Sequence, residues 1–148
     1  MSYIYIMKIR GSLQVKILFV FYILFLFFLC FTNFGSLDID LPTNILGIGI
    51  DKYIHSLMFF PYPILAWLVF QYSRHLKKYS KYALSLSAIS GMVIAIFTES
   101  VQFYFLPNRE GDPLDFFADT IGLVLSFILL YFIMGALKKK VEKSTEIK

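Results

Sequence analysis

Four stretches of the chain are apolar over about twenty residues with few interruptions, at about 14–34, 54–72, 82–106 and 114–137. Twenty residues at about 1.5 Å rise span the roughly 30 Å hydrocarbon core of a bilayer, so each stretch predicts a transmembrane helix. The polar residues fall mainly between the stretches or near their ends. The pattern predicts an all-α, four-helix transmembrane bundle at 14–137, preceded by a short segment at 1–13 and followed by a basic tail at 138–148. Lys8, Arg10 and Lys16 precede the first stretch as they would in a signal peptide. Its apolar run is long for such a signal, however, and no small-x-small cleavage site follows in Phe31-Thr32-Asn33-Phe34, so it reads as a retained anchor.

Pro61 and Pro63 remove backbone donors inside the second stretch and are expected to kink it. In the third, Ser87, Gly91 and Ala95 recur every four residues, as Gly122 and Ser126 do in the fourth; such rows let helices approach closely. Tyr53, Tyr72, Tyr79 and Tyr82 near the ends fit interfacial anchoring. The loop at 35–50 alternates Leu37, Ile39 and Leu41 with Asp38 and Asp40, and is expected to lie along the interface.

Composition agrees with lipid as the second solvent. Of 148 residues, 58% are hydrophobic and 17 are Phe, more than an interior of this size hides from water. A net charge of +4 would permit nucleic-acid binding on a soluble surface, but here the basic residues sit in clusters between apolar runs, which argues against that class of partner. All of the 14 Lys and Arg except Lys52 and Arg109 belong to the amino end, the second connection or the tail. By the positive-inside rule those regions are cytoplasmic and the other connections lie outside. The single cysteine, Cys30, lies within an apolar run and reads as a packing residue.

Acidic residues show the opposite asymmetry, with only Glu142 and Glu146 on the cytoplasmic side. Three motifs collect the rest of the chemistry. Asp51-Lys52-x-x-His55 opens the second span, Glu99-x-x-Gln102 lies near the end of the third, and Arg109-x-x-Asp112-x-x-Asp115-x-x-x-Asp119 leads into the fourth. Because consecutive spans run antiparallel, these ends share one membrane face. Spacings of three or four residues also put each pair, Asp51 with His55, Glu99 with Gln102, and Asp115 with Asp119, on one helix face. An ionisable group within a span costs roughly 2.5–3.5 kcal/mol at the helix centre and normally faces the bundle interior or a wet cavity.

Several chemistries fit. His55, Glu99 and Asp115 are candidates for acid–base work, with Asp51, Lys52, Gln102, Arg109, Asp112 and Asp119 as ligand-binding partners. Arg109 has the guanidinium geometry for phosphate or carboxylate, and Lys52 would add a point charge. His55, Glu99, Asp115 and Asp119 would also supply oxygen and imidazole ligands to zinc, manganese or magnesium, although the chain has neither an HExxH motif nor a cysteine cluster. No G-x-S-x-G elbow supports a serine nucleophile, and His75 reads as a solvated loop residue. A purely structural charge network that pins the helices together is the bland alternative.

At these residues the chain resembles the VanZ-like family of small bacterial membrane proteins. That pattern is an Asp-Lys-x-x-His segment opening a helix, a Glu-x-x-Gln segment closing the next, then Arg, Asp, an Asn or Asp four further on, and Gly three after that. The corresponding residues are Asp51-Lys52-Tyr53-Ile54-His55, Glu99-Ser100-Val101-Gln102, Arg109, Asp115, Asp119 and Gly122, within about 51–126. Asp119 stands where many members have Asn, and Ser126 where a second Gly is common. The resemblance implies a multi-pass protein of the bacterial cytoplasmic membrane and a connection with glycopeptide resistance. The expected activity is binding or handling of an anionic lipid headgroup or lipid-linked cell-wall precursor at the outer face. The alternatives are a membrane-embedded acid–base or metal-dependent enzyme on such a substrate, and a non-catalytic structural protein. No cofactor is required by the sequence.

Overall fold

The computed structural model describes residues 3–32, 44–45, 47–73, 75–105 and 112–146, with the backbone alone at 3–12, 44, 77 and 137–146. Helix α1 (Tyr3–Phe31) leads to a two-stranded antiparallel hairpin, β1 (Asn44–Ile45) and β2 (Ile48–Gly49). Helices α2 (Ile50–Phe59) and α3 (Tyr62–Tyr72) follow, then a 3₁₀ segment (Lys77–Tyr82), α4 (Ala83–Phe105) and α5 (Pro113–Glu146). Among the described residues, four segments are long and apolar enough to cross a membrane: Leu13–Phe31, Ile50–Tyr72, Lys78–Phe105 and Pro113–Ala136.

Helical boundaries differ from the apolar stretches for a simple reason. A helix continues wherever its backbone bonds are satisfied, whatever the polarity of its side chains, so α1 begins at Tyr3 and α5 runs through the lysine-rich segment to Glu146. The second span likewise opens at Ile50, four residues before the apolar reading places it, because Asp51 and Lys52 belong to the first turn of α2. Within the loop at 35–50, residues 35–43 lie outside the described set; its last part is the hairpin, paired Asn44 to Gly49 and Ile45 to Ile48. Gly47 takes φ 79° in the tight connection, a conformation in which a Cβ is strained. The Tyr53 hydroxyl donates to the Ile45 carbonyl at 3.2 Å and ties the hairpin to α2.

The second span is built as two helices, with Phe60 and Pro61 between them. Proline supplies no N–H to the preceding turn, so carbonyls near the break need other donors. Tyr22 of α1 provides one, its hydroxyl donating to the Met58 carbonyl at 2.6 Å. Five hydroxyls elsewhere in the spans are satisfied within their own helix: Ser87, Ser90, Thr98, Ser100 and Thr120 each donate to the carbonyl four residues back.

Leu26, Cys30, Phe59, Tyr62, Ala66, Ala95 and Leu123 form the core, with contributions from all four spans. Ser87, Gly91 and Ala95 are all buried, as are Gly122 and Ser126, so both small-residue rows face other helices. The closest approach is that of α2 and α5. A methyl group on Gly122 would overlap the Ser56 carbonyl oxygen and lie 3.2 Å from the Phe60 nitrogen. Outside this core the helices present Phe21, Leu24, Phe28, Ile89, Phe103, Phe117 and Tyr131 outward, the surface a bilayer would cover.

Candidate functional site

The close α2–α5 contact fixes where the ionisable residues meet. At the amino end of α2, Lys52 extends its ammonium group toward α5 and contacts three carboxylates at 2.6 Å each: Asp51 Oδ2, Asp112 Oδ2 and Asp115 Oδ1. An ammonium has three N–H donors, and all three are used here. Asp112 has a second task. Its Oδ1 accepts from the Leu114 N–H at 2.9 Å and its carbonyl from the Asp115 N–H at 2.8 Å, so it caps α5 with Pro113 in the first helical position. Asp51 and Asp115 lie in the first turns of their helices, where the backbone dipole favours negative charge.

One turn further in lies His55, only 4% exposed. Its Nδ1 donates to Asp119 Oδ1 at 2.9 Å, across the α2–α5 interface. The same nitrogen is 3.9 Å from Glu99 Oε1 on α4, and Nε2 is 3.9 Å from Asp115 Oδ2. Asp119 is fully buried; its Oδ2 has no hydrogen-bond partner among the described residues, and neither does the buried Ser126 Oγ two turns along the same helix face. Glu99 reaches outward as well as inward. With Ser100, Phe103, Tyr104, Pro113 and Phe116 it lines a groove of about 360 Å³ between α4 and α5.

The site therefore has two layers. An outer layer places Asp51, Asp112 and Asp115 around Lys52; an inner layer places Asp119 and Glu99 around His55. Lys52 and Asp115 connect the layers, because Asp115 offers one oxygen to the ammonium and turns the other toward the imidazole. One described residue of the sequence-derived set stands elsewhere. Gln102 is buried, and its Nε2 donates to the Cys30 carbonyl on α1 at 2.7 Å. Arg109 lies outside the described residues, as do Asp38, Asp40 and Glu110.

The double role of Asp112 has a visible sequence signal, since Asp followed by Pro and an apolar run marks a helix start. The bonds from Tyr22 to Met58 and from Gln102 to Cys30 have none; they join residues 36 and 72 positions apart whose pairing depends on how the helices are rotated.

The Lys52 ammonium beside Asp112, reinforced by the Leu114 N–H, holds that carboxyl below the usual carboxylate range. A carboxyl depressed in the folded state stabilises above its unfolded pKa, and that contribution disappears as pH falls through the folded value. Acidification below about pH 4, the unfolded carboxylate value, is thus expected to remove part of the protein's stability. Asp112→Asn, which cannot ionise, should lack this component. Thermal unfolding of both proteins between pH 3 and pH 7 checks it; parallel pH profiles would contradict the assignment.

No protein-family model, curated protein or solved structure matches the chain.

Proposed function

We propose that the protein is a VanZ-like multi-pass protein of the bacterial cytoplasmic membrane, with an outer-face centre that performs acid–base chemistry on an anionic, lipid-linked substrate. The observation that carries this reading is the buried His55–Asp119 pair, 2.9 Å apart, with Glu99 at the mouth of a groove beside it. The outward placement rests on charge: Lys78 and Lys81 flank the opposite end of the helices from His55, and the lysine-rich segment forms the last part of α5 at that end. On this reading both termini are cytoplasmic and the second span is kinked at its prolines.

The chemistry follows from the hydrogen bond. With its proton on Nδ1 and directed at Asp119, the neutral imidazole keeps a lone pair on Nε2. Nε2 accepts the proton of an attacking water or hydroxyl, Asp119 stabilises the imidazolium that forms, and the proton returns to the departing oxygen. Apolar walls at Phe103, Tyr104 and Phe116 suit the hydrocarbon part of a lipid entering from the bilayer.

A simple anion-binding pocket is less well supported, because the Lys52 ammonium is already surrounded by three carboxylates. A binding role for Arg109 toward the substrate's anionic group remains part of the proposal. A structural charge network fits less well too, since a network that only pins helices has no use for a fully buried carboxylate oxygen without a donor among the described residues.

The test is incubation of the purified protein with vesicles containing a polyprenyl-diphosphate-linked sugar, read by mass spectrometry for bound and converted lipid. Wild type should retain and convert it. His55→Asn should retain it with conversion reduced by about 100-fold or more, the contribution of a positioned acid–base group. Retention without conversion by either protein would make this a binding protein, and no retention would end the substrate assignment. The resemblance adds a cellular readout: reduced glycopeptide susceptibility on expression, lost in His55→Asn.

A further inference from the structure

Two hydrogen-bond acceptors from different helices face each other where the two layers of the site meet. With its proton on Nδ1 and directed at Asp119, His55 presents a lone pair on Nε2, and Asp115 Oδ2 lies 3.9 Å from that nitrogen. A protonated Nε2 would be drawn into a short charged bond of about 2.7–2.9 Å. A separation of 3.9 Å fits two acceptors that repel each other. We infer that these two atoms hold a water molecule between them and that this water is the nucleophile, which makes the protein a hydrolase. The inference rests on the acid–base chemistry proposed for His55 and names its second reactant.

Both acceptors are fixed from behind. The bond from Nδ1 to Asp119 sets the plane of the imidazole, and Lys52 holds the other oxygen of Asp115 at 2.6 Å. The Asp115 N–H donates to the Asp112 carbonyl at 2.8 Å, which anchors its backbone in the first turn of α5. A water oxygen about 2.8 Å from both atoms sits to one side of the 3.9 Å line, with about 90° between its two bonds. It donates one hydrogen to Nε2 and the other to Oδ2, so its lone pairs point away from both, toward an incoming electrophile. A hydroxyl has a single hydrogen. Once it donates to Nε2, its carbon opposes the carboxylate and Oδ2 gains no donor, so the geometry selects water over an alcohol. The Asp115 side chain is 14% exposed, which gives water a way in. The electrophile comes from the groove, since Glu99, which lines it, is 3.9 Å from the other ring nitrogen.

For a diphosphate-linked lipid the step balances with water alone. The water oxygen bonds to a phosphorus while the bond from that phosphorus to the bridging oxygen breaks, and the electron pair leaves with the bridging oxygen. The hydrogen taken by Nε2 passes to that oxygen, and the hydrogen held by Asp115 stays on the new phosphate. Lipid phosphate and sugar phosphate are the two products.

The test places the full chain in lipid nanodiscs with a polyprenyl-diphosphate-linked sugar in heavy-oxygen water, with the products read by mass spectrometry. One heavy oxygen should enter one phosphate product for each bond cleaved. Methanol added at a fixed fraction offers a competitor with one hydrogen, and wild type should form little methyl phosphate ester. Asp115→Asn and Asp115→Glu should each lower kcat by about 10- to 100-fold with KM little changed. Both should raise the ratio of methyl ester to hydrolysis product by about fivefold or more, because methanol then no longer faces an unmatched acceptor. That ratio is read only from working molecules, so lost stability does not move it. Asp115→Glu keeps the charge that Lys52 meets, and supplies the ratio if Asp115→Asn does not fold. Conversion without heavy oxygen would mean transfer to another acceptor, and would overturn the inference while leaving the acid–base reading standing. Equal ratios in wild type and both variants would remove Asp115 from the water site and overturn it as well. An absence of conversion by wild type would instead end the acid–base reading itself, and this inference with it.

Discussion

Gly122→Ala is expected to destabilise the protein by about 3 kcal/mol, at the upper end of what one added methyl group costs in a packed interior. Its Cβ would occupy the space of the Ser56 carbonyl oxygen, a backbone atom of a neighbouring helix that has no rotamer through which to escape. Relief requires α2 and α5 to separate, and those helices carry His55 and Asp119. Their 2.9 Å hydrogen bond does not survive an increase of about 1 Å, so site function should fall together with stability. Gly135→Ala is the control, since nothing lies within 4 Å of a Cβ there and alanine is the better helix former by about 1 kcal/mol. Thermal unfolding of the three proteins in one detergent separates the cases. Equal stability of Gly122→Ala and wild type would mean that α2 and α5 do not meet in this way.

That contact shows what the sequence could and could not reveal. Four spans follow from counting apolar residues, and their alternating direction brings the ends carrying Asp51, His55, Glu99, Asp115 and Asp119 to one side before any packing is known. Small residues at Gly122 and Ser126 announce a close helix pair but not its partner. The identity of that partner depends on the rotation of each helix about its axis. The spans give little guidance on this, because apolar residues occur all round them: α1 exposes Ile17, Phe21, Leu24 and Phe28 on one face and buries the equally apolar Leu26 and Cys30 on the opposite one. Rotation also decides which polar groups are used up. Gln102 and Glu99 lie three residues apart, yet one is bonded to the α1 backbone while the other turns toward His55. In sequence Lys52 reads either as a point charge for an anion or as part of a charge network, and only the distances reveal that three carboxylates already surround it. The hairpin before α2 was hidden for a different reason, as two strands of two residues are too short to show a period.

The saturation of Lys52 leads to the second large effect. Lys52→Met keeps the length and apolar stem of the side chain and removes the charge, leaving Asp51, Asp112 and Asp115 close together without their counter-ion. Breaking a buried ion pair from one side costs about 3–5 kcal/mol, whereas an exposed pair is worth about 1 kcal/mol or less. The members here fall between those limits: the side chains of Lys52 and Asp115 are 16% and 14% exposed, but those of Asp112 and Asp51 are 35% and 52%. Water screens the outer two, so most of the loss should come through Asp115, for a total of about 2–3 kcal/mol. If so, Asp115→Asn in the Lys52→Met background should recover much of the stability, and the double-mutant cycle should give a coupling of about 1–2 kcal/mol. Lys52→Arg should restore little, because a planar guanidinium does not reproduce three short N–H bonds radiating from one nitrogen. The measurement is thermal or denaturant unfolding of all five proteins, wild type, the two single variants and the double variant of the cycle, and Lys52→Arg, at neutral pH and low salt, where screening is weakest. A loss below about 0.5 kcal/mol for Lys52→Met would place the ammonium in bulk water and dissolve the outer layer of the site.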